Sequence, residues 1–253
     1  MKKSFINNYK NDKDRLLISK IIDKIKFCDT KNKIQGTDFL DMAEQKHVEN
    51  FLKAQKITNY FFTGGFKEAD RKMLIIYPER LENFLEKINL NEYINVIRIT
   101  LPNELKGEYS HRIYLGGVMK LGIEREKIGD ILVDNNGADI LISPDLTKFL
   151  LSNISSLTRF NKCKIEQINI KDIRKIEIKT EVIKITVSSM RLDNIVSELA
   201  RCSRGKAVEI LEQERVLINY EIYTKASKEI KEKDVITIRG KGKFTIKSIV
   251  RKY

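Results

Sequence analysis

Histidine, cysteine and long apolar runs are all scarce in this chain of 253 residues. The only histidines are His47 and His111, and neither stands in an HExxH arrangement or a His-rich cluster. A zinc site needs several nitrogen, sulfur or carboxylate ligands at close spacing, so a zinc enzyme is not expected. A Ser-His-Asp triad would have to use one of these two residues, and no GxSxG elbow is present to hold its serine. The three cysteines, Cys28, Cys163 and Cys202, are far apart and odd in number. That spacing fits reduced thiols better than a disulfide framework or a metal site. No apolar run approaches the ~20 residues of a membrane span. The opening Met1-Lys2-Lys3-Ser4 leads into Asn, Tyr, Lys and Asp, with no signal-peptide core. These absences lead us to expect a cytoplasmic protein without metal, cofactor or membrane contact.

Positive charge is in excess. There are 48 Lys+Arg against 35 Asp+Glu, a net +13, in a chain that is 42% hydrophobic and 33% charged. Such a composition is globular, the length allows about two domains, and the charge suits a polyanion partner or simple solubility. Its distribution is uneven. Residues 1–60 hold 13 basic and 8 acidic residues, 61–187 hold 20 and 18, and 188–253 hold 15 and 9. The last quarter therefore carries +6.

Periodicity assigns elements to these three segments, an N-terminal helical region (1–60), a central domain (61–187) and a C-terminal domain (188–253). In the first, an amphipathic helix runs to about residue 28, and Thr37-Asp38 would cap a second helix through Phe39, Met42, Val48 and Leu52. In the second, Met73–Tyr77 and Ile94–Leu101 read as strands. Arg80–Asn89 and His111–Gly122 read as helices, with His111 as a surface residue at a helix start. Asn135-Asn136-Gly137 signals a hairpin between Ile131–Val133 and Ala138–Ser143. Pro144 then suits the first turn of a helix to Asn153. Ile165–Ile170 and Ile183–Val187 are strand-like. The order predicts an α+β sandwich. The boundary to the third segment is marked by the Lys/Ile-rich stretch 171–187 and Ser188-Ser189.

In the C-terminal segment Leu192, Ile195, Val196 and Leu199 recur at helical spacing after Arg191. Ser203 is placed to cap a second helix with Ala207, Ile210 and Leu211 on its buried stripe. Open amides, the positive end of the helix dipole, Arg204 and Lys206 would together make an anion site. Strands are expected at Val216–Asn219, Val235–Arg239 and Lys243–Val250, the last two joined by Gly240-Lys241-Gly242. One edge of this domain would then bear Arg191, Arg201, Arg204, Lys206, Arg239, Lys241 and Lys243. The bland alternative is a solvated basic surface, with lysines protecting strand edges.

The order Arg191-Leu192-Asp193, Ser203-Arg204, Ala207, Ile210-Leu211, Val216, Asn219, Lys225 and Asp234-Val235-Ile236 resembles the S4 (alpha-L) RNA-binding domain over about residues 190–240. The resemblance implies that Arg191, Ser203, Arg204, Lys206, Asn219 and Lys225 lie near an RNA face, with Asp193 holding its neighbours. Three positions depart from the S4 pattern, with Glu214, Tyr220 and Lys233 standing where glycine is usual. On a wider scale, Thr37-Asp38-Phe39-Leu40-Asp41, Phe62-Thr63-Gly64-Gly65-Phe66, His111-Arg112, Leu115-Gly116, Leu121-Gly122-Ile123 and Lys127-Ile128-Gly129-Asp130-Ile131-Leu132-Val133 resemble the YlmH family of Gram-positive bacteria. That resemblance covers about residues 35–250. It implies a central RNA-binding-like domain and a role in ribosome-associated quality control, on a large subunit carrying an obstructed peptidyl-tRNA.

Other motifs carry less. Arg191-Leu192-Asp193 matches the catalytic triplet of pseudouridine synthases but lacks its following residues. Phe62-Thr63-Gly64-Gly65-Phe66 lacks the Lys-Ser/Thr of a phosphate loop and reads as a turn between domains. Gly116-Gly117 reads as a close helix–sheet contact. The expectation is a monomeric, non-enzymatic binder of structured RNA (rRNA, with tRNA as a further candidate) without a small-molecule substrate. The rivals are an RNA-modifying enzyme anchored by its S4 domain and a cell-division interaction module.

Overall fold

The structure, a computed structural model, describes residues 12–175 and 181–250. Met1–Ser4 and residues 176–180 of the expected boundary stretch lie outside the described residues. The chain divides into two compact units on either side of Ile178.

The first unit is layered helix, sheet, sheet, helix. Helix α1 (Asp12–Lys31) buries Ile18, Ile21, Ile22, Ile25 and Cys28 along one stripe, with Asp12 and Asp14 at the end where the dipole favours acids. Helix α2 spans Met42–Ala54. Its cap is Asp41, not Thr37-Asp38. The Asp41 carboxylate accepts from the Glu44 amide at 2.8 Å, and Glu44 accepts from the Asp41 amide at 2.9 Å, a closed capping box. Thr37 is diverted to the sheet, where its hydroxyl accepts from the Leu74 amide at 2.9 Å. The two helices cover one face of a three-stranded antiparallel sheet of order β1-β3-β2, made of β1 (Gln35–Gly36), β2 (Tyr60–Thr63) and β3 (Met73–Ile76). The Phe62-Thr63-Gly64-Gly65-Phe66 stretch therefore ends β2 and opens the connection to β3, within one sheet rather than between domains.

Alternation on β3 sets the layers. Leu74 and Ile76 face the helices, while Met73 and Ile75 meet Val96, Leu132 and Leu141 of a second sheet. That sheet has order β5-β6-β4-β7, all antiparallel, from β4 (Asn95–Thr100), β5 (Ile128–Asp134), β6 (Gly137–Ile142) and β7 (Lys164–Ile168). Its far face carries Ile97, Ile99, Ile140 and Ile142 under helices α3 (His111–Lys120) and α4 (Thr147–Asn153). Arg80–Asn89 forms a 3-10 segment, Glu79–Lys87, kinked at Phe84, with no buried side chain. The apolar spacing is helical, but the segment finds no core surface to cover, and packing supplies most helix stability.

Two guanidinium sites tie this unit together. Arg71 donates to the carbonyls of Phe39 (2.8 Å) and Ile128 (3.0 Å), linking the first sheet to the second. Asp139, fully buried on β6, accepts from Arg98 at 2.8 and 2.7 Å and from both the side chain and the amide of Arg174 at 2.8 Å.

In the second unit, helices α5 (Leu192–Ala200) and α6 (Arg204–Glu212) pack on a sheet of order β11-β10-β8-β9. Its strands are β8 (Val216–Ile218), β9 (Glu221–Ile222), β10 (Val235–Ile238) and β11 (Gly242–Thr245). Leu192, Ile195, Val196, Ala207, Leu211, Val216 and Ile236 form its core. Two strand expectations change. Ile183–Val187 forms no strand, although Ile185 and Val187 pack against the core. The last strand stops at Thr245, because its partner β10 begins opposite it at Val235. The three positions without the usual glycine keep left-handed backbone, at Glu214 (φ 56°), Tyr220 (72°) and Lys233 (71°). Each non-glycine residue there costs about 1 kcal/mol.

Candidate nucleic-acid interface

The interface begins with the short loop between α5 and α6. Helix α5 ends on Arg201 in the left-handed conformation (φ 53°). The Ser197 hydroxyl donates to the Cys202 carbonyl at 2.6 Å and fixes the turn. Ser203 caps α6 as expected, its hydroxyl accepting from the Lys206 amide at 3.2 Å. Ala207, Ile210 and Leu211 are the buried stripe, so Arg204, Gly205 and Lys206 remain exposed at the first turn. Lys206 leans on Glu209 at 2.6 Å, a solvent-exposed pair of little energetic weight.

Arg191 and Arg204 meet through Asp193. The carboxylate is 2% exposed and accepts from Arg191 Nε and Nη2, both at 3.1 Å, and from Arg204 Nε at 2.8 Å, with Arg204 Nη2 in ion-pair contact at 2.7 Å. The Arg191 hydrogen bonds above all, with those of Arg204, hold its carboxyl down at about 2 despite burial. Asp193 therefore holds its neighbours, as the S4 resemblance implied. The amides of Leu192 and Asp193 donate to the carbonyls of Lys228 (2.8 Å) and Ala226 (3.2 Å), so the start of α5 is closed and the loop after Lys225 is docked beside it. The anion-binding potential thus falls on α6 and the outer edges of two guanidiniums.

The expected basic residues lie on several elements of the second unit. Arg201, Ser203, Arg204 and Lys206 lie at the α5–α6 junction, Arg204 reaches Arg191 at the start of α5 through Asp193, and Lys225 is in the exposed loop next to α5. Arg239 and Lys241 occupy the β10–β11 turn, and Lys243 lies on β11. That turn is held by Arg215, whose carbonyl accepts from the Arg239 amide and whose guanidinium donates to the Arg239 carbonyl, both at 2.9 Å. Arg215 follows the end of α6 while Arg204 opens it, so the two basic groups are separated by about 13 Å of helix. Asn219 serves its own turn, donating to Asp234 at 2.8 Å and accepting from the Val235 amide at 3.0 Å. Arg215 was missed by the sequence reading. Its one local signal was its place just after the left-handed Glu214.

Elsewhere, a cleft of about 240 Å³ in the first unit is lined by Lys13, Asp41, Glu44, Arg71, Glu124, Arg125 and Glu126. Lys13 pairs with Glu44 at 2.8 Å, and Arg125 donates to the carbonyls of Ile128 and Gly129, at 2.6 and 3.2 Å. Its cations are largely committed internally. Among the described residues there is no group of three or more metal-ligating side chains, and no helix is long and apolar enough to cross a membrane.

Residues 90–172 match the family described as "Putative RNA-binding domain in YlmH". Residues 190–236 match the S4 domain family. Over 238 residues the chain is 26% identical to the Ribosome-associated protein quality control protein P2 of Bacillus subtilis (strain 168), covering 93% of this chain and 89% of that one. A solved structure, the Cell division protein ylmH from Streptococcus pneumoniae, is similar with a TM-score of 0.49 and 19% identity, covering 66% of this chain and 98% of that one.

Proposed function

We propose that this chain, which is similar to YlmH-type S4-domain proteins, is a non-enzymatic RNA-binding factor that works on the ribosome in the cytoplasm. The observation that carries this reading is the Arg191–Asp193–Arg204 cluster beside the exposed first turn of α6. A buried carboxylate orients two guanidiniums whose remaining donors face solvent, a geometry suited to phosphate oxygens. Arg201, Ser203, Lys206 and Lys225 extend that surface, Asn219 shapes the turn beyond it, and Arg239, Lys241 and Lys243 form a second basic patch. Phosphate contacts would supply the affinity, while the shape of folded RNA selects the site. The name of the Bacillus subtilis relative supports ribosome-associated quality control as the setting. In that setting the chain acts as a monomer on a large subunit that retains peptidyl-tRNA.

The test is co-sedimentation of the full chain with purified large subunits at rising salt. Arg204→Glu with Lys206→Glu is expected to lower the affinity at least tenfold, as the loss and reversal of two phosphate-facing charges requires. Unchanged sedimentation would overturn the assignment of this face. A change in the mass of rRNA or tRNA after incubation with the protein would overturn the non-enzymatic reading.

A further inference from the structure

The region matching the YlmH RNA-binding description, residues 90–172, holds 11 basic and 11 acidic residues. Its neutrality conceals a polarised distribution. Residues 109–123, which contain α3, hold Arg112 and Lys120 and no acid. Residues 146–165, which contain α4 and the loop after it, hold Lys148, Arg159, Lys162 and Lys164 and again no acid. Both segments pack on the same face of the β5-β6-β4-β7 sheet. The loop is fastened to α3. Phe160 packs against Tyr114 with ring centroids 5.9 Å apart and covers Gly117, and the Tyr109 hydroxyl donates to the Arg159 carbonyl at 2.6 Å. Lys164 pairs with Glu166, but Arg112, Lys120, Lys148, Arg159 and Lys162 form no ion pair among the described residues.

The second observation is Gly116. Gly117 is required internally, because a side chain there would strike the Phe160 ring. This is a contact with a loop rather than the helix–sheet contact that the sequence suggested. Gly116 is exposed, and a Cβ built on it would meet nothing within 4 Å. Glycine in a helix interior weakens the helix relative to alanine, and nothing inside the protein requires it here. It lies four residues from Arg112 and four from Lys120, so the three share one face of α3, with the glycine between two cations. Bare helix backbone flanked by cations admits close approach of another backbone. Met119 and Phe149, each 42% exposed, add apolar surface for sugars and bases to the same layer.

We propose that the outer face of α3, with the Arg159–Lys162 loop, is a second RNA-docking surface, where a sugar-phosphate backbone passes over Gly116 between Arg112 and Lys120. This rests on the RNA-binding reading above but uses residues that the S4-type surface does not contain.

The experiment titrates protein-free rRNA of the large subunit with the full chain at several salt concentrations. Three proteins are compared: wild type, Gly116→Gln, and Arg112→Gln with Lys120→Gln. Gly116→Gln is expected to melt at a higher temperature than wild type while binding about tenfold more weakly, since glutamine favours the helix but fills the approach. The double variant is expected to lower the salt-dependence slope by about 1.4–1.8, two phosphate contacts' worth. If wild type binds and both variants match it in affinity and slope, the second surface is wrong while the RNA-binding reading stands. If wild type does not bind rRNA, that reading falls and this one with it. If the variants bind rRNA normally but no longer co-sediment with large subunits, the face meets a protein, and the RNA assignment is overturned.

Discussion

Asp139 and Asp193 are each held by two arginines and one backbone amide, yet the first trio is turned into its own unit and the second toward solvent. Around Asp139, Arg98 also donates to the Asp172 carbonyl at 2.8 Å, and Arg174 also meets Asp134 at 3.1 Å. Their side chains are only 25% and 11% exposed. Around Asp193, the side chains of Arg191 and Arg204 are 41% and 57% exposed. The first trio straps the segment after β7 onto the sheet. The second keeps donors in solvent, which is what separates an interface from a brace made of the same residue types.

The comparison breaks first at Asp139. Asp139→Asn leaves two largely buried guanidiniums short of a counter-charge, and about 3 kcal/mol of stability should be lost. Urea unfolding would measure it, and protein that remains folded should bind RNA as wild type does. A loss below about 1 kcal/mol would mean that these guanidiniums rehydrate as easily as exposed ones.

Asp193→Asn should cost less, about 1–2 kcal/mol at neutral pH, because Arg191 and Arg204 can turn to water. RNA affinity should fall severalfold with an unchanged salt slope, since both cations remain but lose their orientation. The pH dependence follows from the depressed carboxyl. Its contribution is complete above the unfolded value of about 3.9 and fades as pH falls through about 2, so variant and wild type should converge in stability across that window. A stability gap that stays constant down to pH 2 would contradict the pairing.

The smallest effect belongs to the backbone below this interface. Glu214→Gly removes a left-handed non-glycine residue (φ 56°) and should stabilise the second unit by about 0.5–1 kcal/mol, read from the same unfolding curves. No gain would show that Glu214 is held there by contacts worth as much as the strain.

What the chain disclosed in advance was local. The α3 helix, the Asn135-Asn136-Gly137 hairpin and the Ser203 cap each rest on residues within a few positions of one another, and periodicity or turn chemistry reveals them. The cap of α2 was expected at Thr37-Asp38 and falls at Asp41. The Asp41–Glu44 capping box and the sheet, which takes the Thr37 hydroxyl for Leu74, decide between them. Arg80–Asn89 has helical spacing but no surface to bury against. The long-range pairs were invisible. Arg98 and Asp139 are opposite each other in the β4–β6 register, and Arg174 reaches them from beyond β7, a meeting that no spacing rule encodes. Net charge hides placement for a related reason, since a sum over a segment erases the side of the sheet on which each charge falls.

Arg71 and a shared apolar layer join the three-stranded sheet to the four-stranded one. The Arg71 guanidinium bridges the Phe39 and Ile128 carbonyls, and Met73 and Ile75 cover Val96, Leu132 and Leu141. A fragment begun at residue 90, where the family match starts, would present that apolar sheet face to water, and it should aggregate or melt at a lower temperature than the first unit does within the full chain. Recognisable ancestry and independent foldability therefore have different borders in this protein.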